Sequence, residues 1–313
     1  SAADGDVVVV DTIESPARVW VAPSEPLIAV ARARQAARRT IEAEERVSLA
    51  HLGVRVRANI GTLDDRVPPA AEGVGLFRTE LAFAGRAACP GEREQRAAIL
   101  ALARRAEGEP VTVRLFDAGG DKPLAWMPSN GARGIALLFE HEAVLASQLA
   151  AIDAARRGGA NVRVLLPLVR SANDVATIRA RAPDVPIGAM IETPEAVDAA
   201  AAIARAADFV CVGTNDLAAI ARGTDRATEA RRALDAHLLA LVERVVAAAH
   251  AVGRTVTICG EIAADEDAAI ALVGAGVDAL SVSPRRVARV RARLARATRE
   301  DCAASARAIS SAP

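Results

Sequence analysis

The side chains best suited to chemistry stand at the ends of two short apolar runs. One run, Ile187–Glu192, closes on a carboxylate within Met190-Ile-Glu-Thr-Pro194. The other, Phe209–Asn215, closes on Asn215 and Asp216 within Gly213-Thr-Asn-Asp-Leu217. Their length, and the single helical pattern Pro194–Arg205 between them, predict a β-α-β unit with parallel strands, so both ends emerge at one rim. Two carboxylates beside an amide are hard oxygen ligands that suit Mg²⁺, with Glu192 and Asp216 as the candidate metal ligands. Arg78, Arg114 and Arg226 offer planar forks for phosphate or carboxylate oxygens, and Asn215 adds a neutral hydrogen-bonding group. Cys259, in Cys259-Gly-Glu261, is the candidate proton donor to a carbon that turns negative during reaction. A small anion bearing both a carboxylate and a phosphate would engage all of them.

Residues so far apart meet only if the elements between them bring them together. Strand-like runs recur at Val54–Ile60, Val74–Arg78, Val111–Asp117, Val162–Val169, Ile187–Glu192, Phe209–Asn215, Val256–Glu261 and Ala279–Ser283. Helical patterns fill most gaps, at Arg93–Ala106, His141–Arg156, Ala172–Ala180, Pro194–Arg205, Glu229–Val252, Asp265–Val273 and Arg285–Ala297; the gap from Thr62 to Glu72 has room only for a short helix. Eight apolar strands alternating with helices predict an α/β fold, a closed (β/α)8 TIM barrel, with an open doubly wound sheet as the alternative because spacing does not reveal closure.

In such a barrel the working residues stand at the C-terminal strand ends. Five strands deliver polar groups there: Arg78-Thr79-Glu80, Arg114 with Asp117 running into Gly119-Gly120-Asp121-Lys122, Glu192, Asn215-Asp216, and Cys259-Gly260-Glu261. The opposite end is expected to hold no comparable set. Ahead of the barrel, Asp6–Asp11 and Arg18–Pro23 read as a hairpin around Glu14-Ser15-Pro16, and Glu25 to about Leu52 as a connecting helix. The expected divisions are 1–24, a linker helix over 25–52, a barrel over 53–298 and a C-terminal tail over 299–313.

A net charge of +0 argues against a broad nucleic-acid footprint. Cys89, Cys211, Cys259 and Cys302 form no Cys-x-x-Cys pair, so neither a zinc site nor a disulfide framework is expected, and a reducing cytoplasmic setting is. Charges interrupt the Ala-rich runs before a bilayer is spanned, and no charged-then-apolar leader opens the chain. The expectation is a soluble protein. Lys122 is the sole lysine and tyrosine is absent.

At these residues the chain resembles the C-terminal half of enzyme I of the bacterial phosphotransferase system, the phosphoenolpyruvate-protein phosphotransferase family. The stretches that carry the resemblance are Gly73-Val-Gly-Leu-Phe-Arg-Thr-Glu80, Arg114-Leu-Phe-Asp-Ala-Gly-Gly-Asp-Lys-Pro123, Met190-Ile-Glu-Thr-Pro194, Gly213-Thr-Asn-Asp-Leu217, Asp225-Arg226 and Cys259-Gly-Glu261. Their order is more specific than any one of them. The resemblance implies a barrel that binds phosphoenolpyruvate and Mg²⁺, with Arg78, Arg114, Arg226, Asn215 and Asp216 on the substrate, Glu192 and Asp216 on the metal, and Cys259 protonating the enolate carbon to release pyruvate.

It also implies partners: a histidine on a separate swivelling domain, then the histidine carrier protein, and a possible homodimer. No histidine here has the family's Thr-x-His context, and Asp4 to Ser24 looks like the end of the swivelling domain, so a fragment is expected. Three departures stand out. Ala136 occupies an arginine position, Ala218-Ala219-Ile220 replaces polar residues after Asn-Asp-Leu, and the connections after Val169 and Arg226 are shortened. A phosphoenolpyruvate sensor without turnover and a keto-acid lyase are the alternative functions.

Overall fold

The computed structural model describes residues 7–11, 18–33, 48–119, 123–225 and 233–311. Strands β1 (Val8–Asp11) and β2 (Arg18–Val21) pair antiparallel, with Val9 opposite Trp20. This is the expected hairpin; its turn lies outside the described residues. Residues 25–33 are helical, 34–47 lie outside the described residues, and 48–52 are no longer helix.

Eight parallel strands follow: β3 (Arg55–Ile60), β4 (Val74–Arg78), β5 (Val111–Arg114), β6 (Val162–Leu166), β7 (Ile187–Ile191), β8 (Phe209–Gly213), β9 (Val256–Cys259) and β10 (Ala279–Val282). Because β10 pairs with both β9 and β3, the sheet is a closed barrel, and the open sheet is excluded. Successive side chains alternate between the helices outside and the lumen inside. Outward residues such as Val56, Val113, Val164, Ile187 and Ile258 join one large apolar core with the surrounding helices.

The lumen is different. Its apolar part is a small plug of Leu76, Leu165, Met190, Phe209, Cys211 and Cys259. Most other inward positions are polar, including buried Arg57, Thr112, Arg114, Thr257 and Ser281 and partly buried Arg163. Bulky branched residues usually fill a barrel of this kind. The expectation that charge gathers at one end only is therefore corrected: Arg57 and Arg163 stand in the lower half.

Helices form largely where periodicity places them, at Glu92–Arg105, Glu142–Arg157, Ala172–Arg181, Ala236–His250, Glu266–Gly274 and Val287–Ala295. Away from the strand ends, four segments differ. Residues 62–72 contain turns but no helix. The pattern over Pro194–Arg205 is two helices, Pro194–Asp198 and Ala200–Ala206, and an unanticipated helix spans Gly134–Glu140. The segment expected as a tail forms the helix Arg299–Ser310, started by a capping box of Thr298 and Asp301. It packs so closely on Glu266–Gly274 that a Cβ on Gly274 would overlap the Cys302 carbonyl. Just before it, the His51 ring Nε2 lies 3.1 Å from the Ala297 carbonyl oxygen, and Arg299 Nε donates to the His51 carbonyl at 2.8 Å, latching the entrance of the barrel to its exit.

Candidate functional site

β4 runs straight into the helix Thr79–Ala82, and its register sets Arg78 beside Arg114 of β5. Glu80 thereby reaches Arg114: Nη2 lies 2.5 Å from Glu80 Oε1 and 3.1 Å from Asp117 Oδ2, while Nη1 points at Met190 Sδ, 3.6 Å away. Arg114 is 2% exposed. A guanidinium buried alone would be costly. Burial pulls its pKa down, but Glu80, Asp117 and Glu192 outweigh that and hold it above the ordinary arginine value.

Gln148, from the helix Glu142–Arg157, braces both strand ends. Its Nε2 donates to Thr79 Oγ1 (3.1 Å), its Oε1 accepts from the Phe116 N–H (2.9 Å), and Thr79 Oγ1 donates to the Arg114 carbonyl (2.8 Å). Arg114 is thus held by the protein's own carboxylates. It is not the open fork its sequence position predicts.

Glu192 follows β7 and is 1% exposed. Its Oε2 accepts from the Leu168 N–H at 2.9 Å, and Leu168 adopts a φ of 48°, a left-handed backbone rare for a branched residue and of the kind that gathers at functional sites. Gly213 of β8 makes room for the carboxylate, because a Cβ there would overlap it. Burial first, then Asp117 and Asp216, push the Glu192 carboxyl up to about 7, against the opposing pull of Arg114.

Strand β8 ends at Gly213, so Asn215 and Asp216 open the helix Thr214–Arg222 instead of closing a strand. The positive end of the helix dipole favours an anion there. Asp216 Oδ1 lies 3.2 Å from Nη2 of Arg133, and Asn215 Oδ1 accepts from the Glu261 N–H at 3.2 Å. Arg133 was not foreseen. It precedes the unanticipated helix Gly134–Glu140, and the Gly131-Ala-Arg-Gly134 stretch was its only signal.

Cys259 ends β9 facing the lumen, level with Gly213 and 2% exposed, its Sγ 2.8 Å from the Sγ of Cys211. Arg78, half-buried, lines an open cleft of about 570 Å³ with Asn59, Arg66, Glu261 and Arg285. Glu192 and Asp216 are not among the cleft's walls, and they lie in the more enclosed part of the rim. The structure brings Arg114, Glu192, Asn215, Asp216 and Cys259 to the upper lumen. Arg226, Asp121 and Lys122 lie outside the described residues.

Among the described residues, no three His, Cys, Asp or Glu side chains converge into a metal-ligand set of their own. Glu192 and Asp216 supply two carboxylates, and Mg²⁺ is commonly held by one or two, with water and substrate oxygens completing the shell. The enclosed region carries Glu80, Asp117, Glu192 and Asp216 against the guanidiniums of Arg114 and Arg133. A divalent cation there would relieve the repulsion that Asp117 and Asp216 exert on the Glu192 carboxyl.

Residues 35–299 match the family model described as "PEP-utilising enzyme, PEP-binding domain". The chain belongs to the PEP-utilising enzyme family. It is 36% identical to a multiphosphoryl transfer protein of Xanthomonas campestris over 93% of its own length and 38% of the relative's. A multiphosphoryl transfer protein of Rhodobacter capsulatus is 38% identical, over 88% of this chain and 37% of the relative. A phosphoenolpyruvate-protein phosphotransferase of Geobacillus stearothermophilus is 32% identical, over 96% and 58%. The PEP-binding domain thus spans about two fifths to three fifths of these relatives. Within it, Ala218 and Ala219 are buried and Ile220 is 42% exposed, so the altered positions after Asn-Asp-Leu partly serve packing. No single helix among the described residues is long and apolar enough to cross a membrane.

Proposed function

We propose that this PEP-binding domain transfers the phosphoryl group of phosphoenolpyruvate to a histidine on a separate domain and releases pyruvate. The observation that carries the reading is the buried carboxylate set of Glu192, Asp117 and Asp216, with Arg114 on Asp117 and Arg133 on Asp216, at the end of the lumen that also holds the buried Cys259 thiol. Glu192 and Asp216 would hold Mg²⁺, which when bound supplies charge neutralisation to the substrate oxygens. Arg78 stands where an anion entering from the cleft would meet it, Arg133 lies beside Asp216, and Arg226 is a further candidate from the sequence. Phosphoryl transfer leans on such positioning and electrostatics.

The chemistry divides into two bond changes. The bond between phosphorus and the enol oxygen breaks as a bond from phosphorus to the acceptor nitrogen forms. The enolate carbon left behind takes the proton of the Cys259 thiol, giving pyruvate. By the same family resemblance, the acceptor then passes the group to the histidine carrier protein, and the setting is cytoplasmic.

A sensing role without turnover draws on Ala136 and on Arg114 being held by Glu80 and Asp117. One assay separates the readings. The chain is mixed with a separately produced phosphohistidine-type domain, phosphoenolpyruvate and Mg²⁺, and pyruvate is measured. Pyruvate release that requires the added domain supports transfer; tight calorimetric binding without release overturns it in favour of sensing; and carbon-carbon cleavage of a keto acid without the domain points to a lyase. Cys259→Ala is expected to lower release by about 10²–10⁴-fold and to leave phosphoenolpyruvate binding intact.

A further inference from the structure

The lower lumen holds positive charge that the proposed reaction does not yet use. Arg57 of β3 is 8% exposed, and its Nε has no hydrogen-bond partner among the described residues. Arg163 of β6 stacks over the Phe209 ring at 4.0 Å, and its Nε donates to Thr112 Oγ1 at 2.7 Å. Neither has a carboxylate within ion-pair distance among the described residues. Register links this pair to the thiols: Ser281 of β10 pairs with Arg57 on one side and with Cys259 on the other. Both guanidiniums feel Cys211 and Cys259 as neighbouring charges. A buried cation without a partner anion is expensive. The groups able to become anionic around Arg57 are Cys211, Glu72 and Cys259, and around Arg163 they are the two sulfurs.

We propose that Cys211, with Arg57 and Arg163 beneath it, is a positioning unit that stabilises the thiolate of Cys259. The inference rests on the reading of Cys259 as proton donor. When the Cys259 S–H bond breaks, the proton goes to the enolate carbon and the electron pair stays on Sγ. The Cys211 thiol, which faces Cys259 in the lumen, donates its hydrogen to that thiolate, and the two guanidiniums supply the counter-charge. Water returns the proton to Cys259 before the next turnover. Cys211 suits the donor role because burial and its neighbour Cys259 push its own thiol well up, which keeps it protonated. Arg163 opposes that push from β6, and Glu192 adds to it from β7.

The absence of tyrosine makes the test direct, since thiolate absorbance in the ultraviolet can be titrated without tyrosinate beneath it. A Cys259→Ala variant subtracts the other three thiols. In the full chain, Cys211→Ala is expected to raise the Cys259 midpoint by about one unit, and Cys211→Ser, which keeps a donor, to return it most of the way. Arg57→Met is expected to raise it as well, and Arg57→Lys to hold it. Should Cys211→Ala fail to fold, the Cys211→Ser, Arg57→Met and Arg57→Lys comparison decides alone. A midpoint unmoved by loss of the Cys211 donor and of the Arg57 charge overturns the proposal. In the pyruvate-release assay, Cys211→Ala is expected to lower kcat about tenfold at unchanged KM. If Cys259→Ala leaves release intact, the proton-donor reading falls, while the titration still decides whether Cys211 and Arg57 support a thiolate.

Discussion

Arg114 near the C-terminal rim and Arg57 in the layer below are both almost wholly buried, yet their surroundings oppose each other. Arg114 meets Glu80 and Asp117 and has its pKa raised. For Arg57, burial and then Arg55 lower the pKa, with only weaker opposing pulls from the thiols and Glu72; burial and Arg57 likewise lower Arg163, to about 10. The upper layer sets carboxylates directly on its guanidinium, whereas Arg57 has none within ion-pair distance among the described residues and feels Glu72 only from farther off. The proposed Mg²⁺ site lies at the carboxylate-rich end, the proposed thiolate support at the guanidinium-rich end, and Cys259 belongs to both readings.

Removing each cation should break this contrast in a measurable way. Arg114→Met removes the guanidinium that Glu80 and Asp117 share and is expected to destabilise the fold by about 3–5 kcal/mol in chemical denaturation. Gly213→Ala forces the Glu192 carboxylate out of its place and is expected to cost about 2–3 kcal/mol, with weakened Mg²⁺ binding in calorimetry.

Glu192 gives the next largest effect. Its folded pKa of about 7 lies above the ordinary carboxylate value, so the folded state binds the proton more tightly than the unfolded state. That contribution is fully present below about 4.5 and is lost as pH rises through about 7. Metal-free protein should therefore lose about 2 kcal/mol between pH 5 and 8, and Glu192→Gln should flatten the slope. Arg57→Met should change stability by less than about 1 kcal/mol or raise it, since an apolar replacement strands no partner. A large loss there would mean that the lower layer is compensated after all.

The barrel was legible because short, mostly apolar and β-branched runs of strand length alternate with helical patterns, and parallel strands separated by helices have few other solutions. Closure itself was not, since it depends on β10 meeting β3, a pairing across roughly 220 residues that local patterns do not encode. The ends of β3 and β4 were read correctly, but from β5 onward strand ends were overread by one to three residues, because polar residues that open helices, such as Asn215 and Asp216, look the same as polar residues that close strands. The locking of Arg114 could not be read, because Glu80 becomes its neighbour only through the β4–β5 register. Arg133 escaped notice for a related reason: the short apolar run behind it has no cap motif. Cys211 was given no role from the sequence, and only the lumen geometry sets it against Cys259.

The latch of His51 with Ala297 and Arg299 joins points about 250 positions apart, beside the seam where β10 meets β3. During translation neither contact can form until nearly the whole barrel has left the ribosome. Until then β3 waits with one edge bare, so a nascent chain stalled before β10 should be the species most dependent on chaperones.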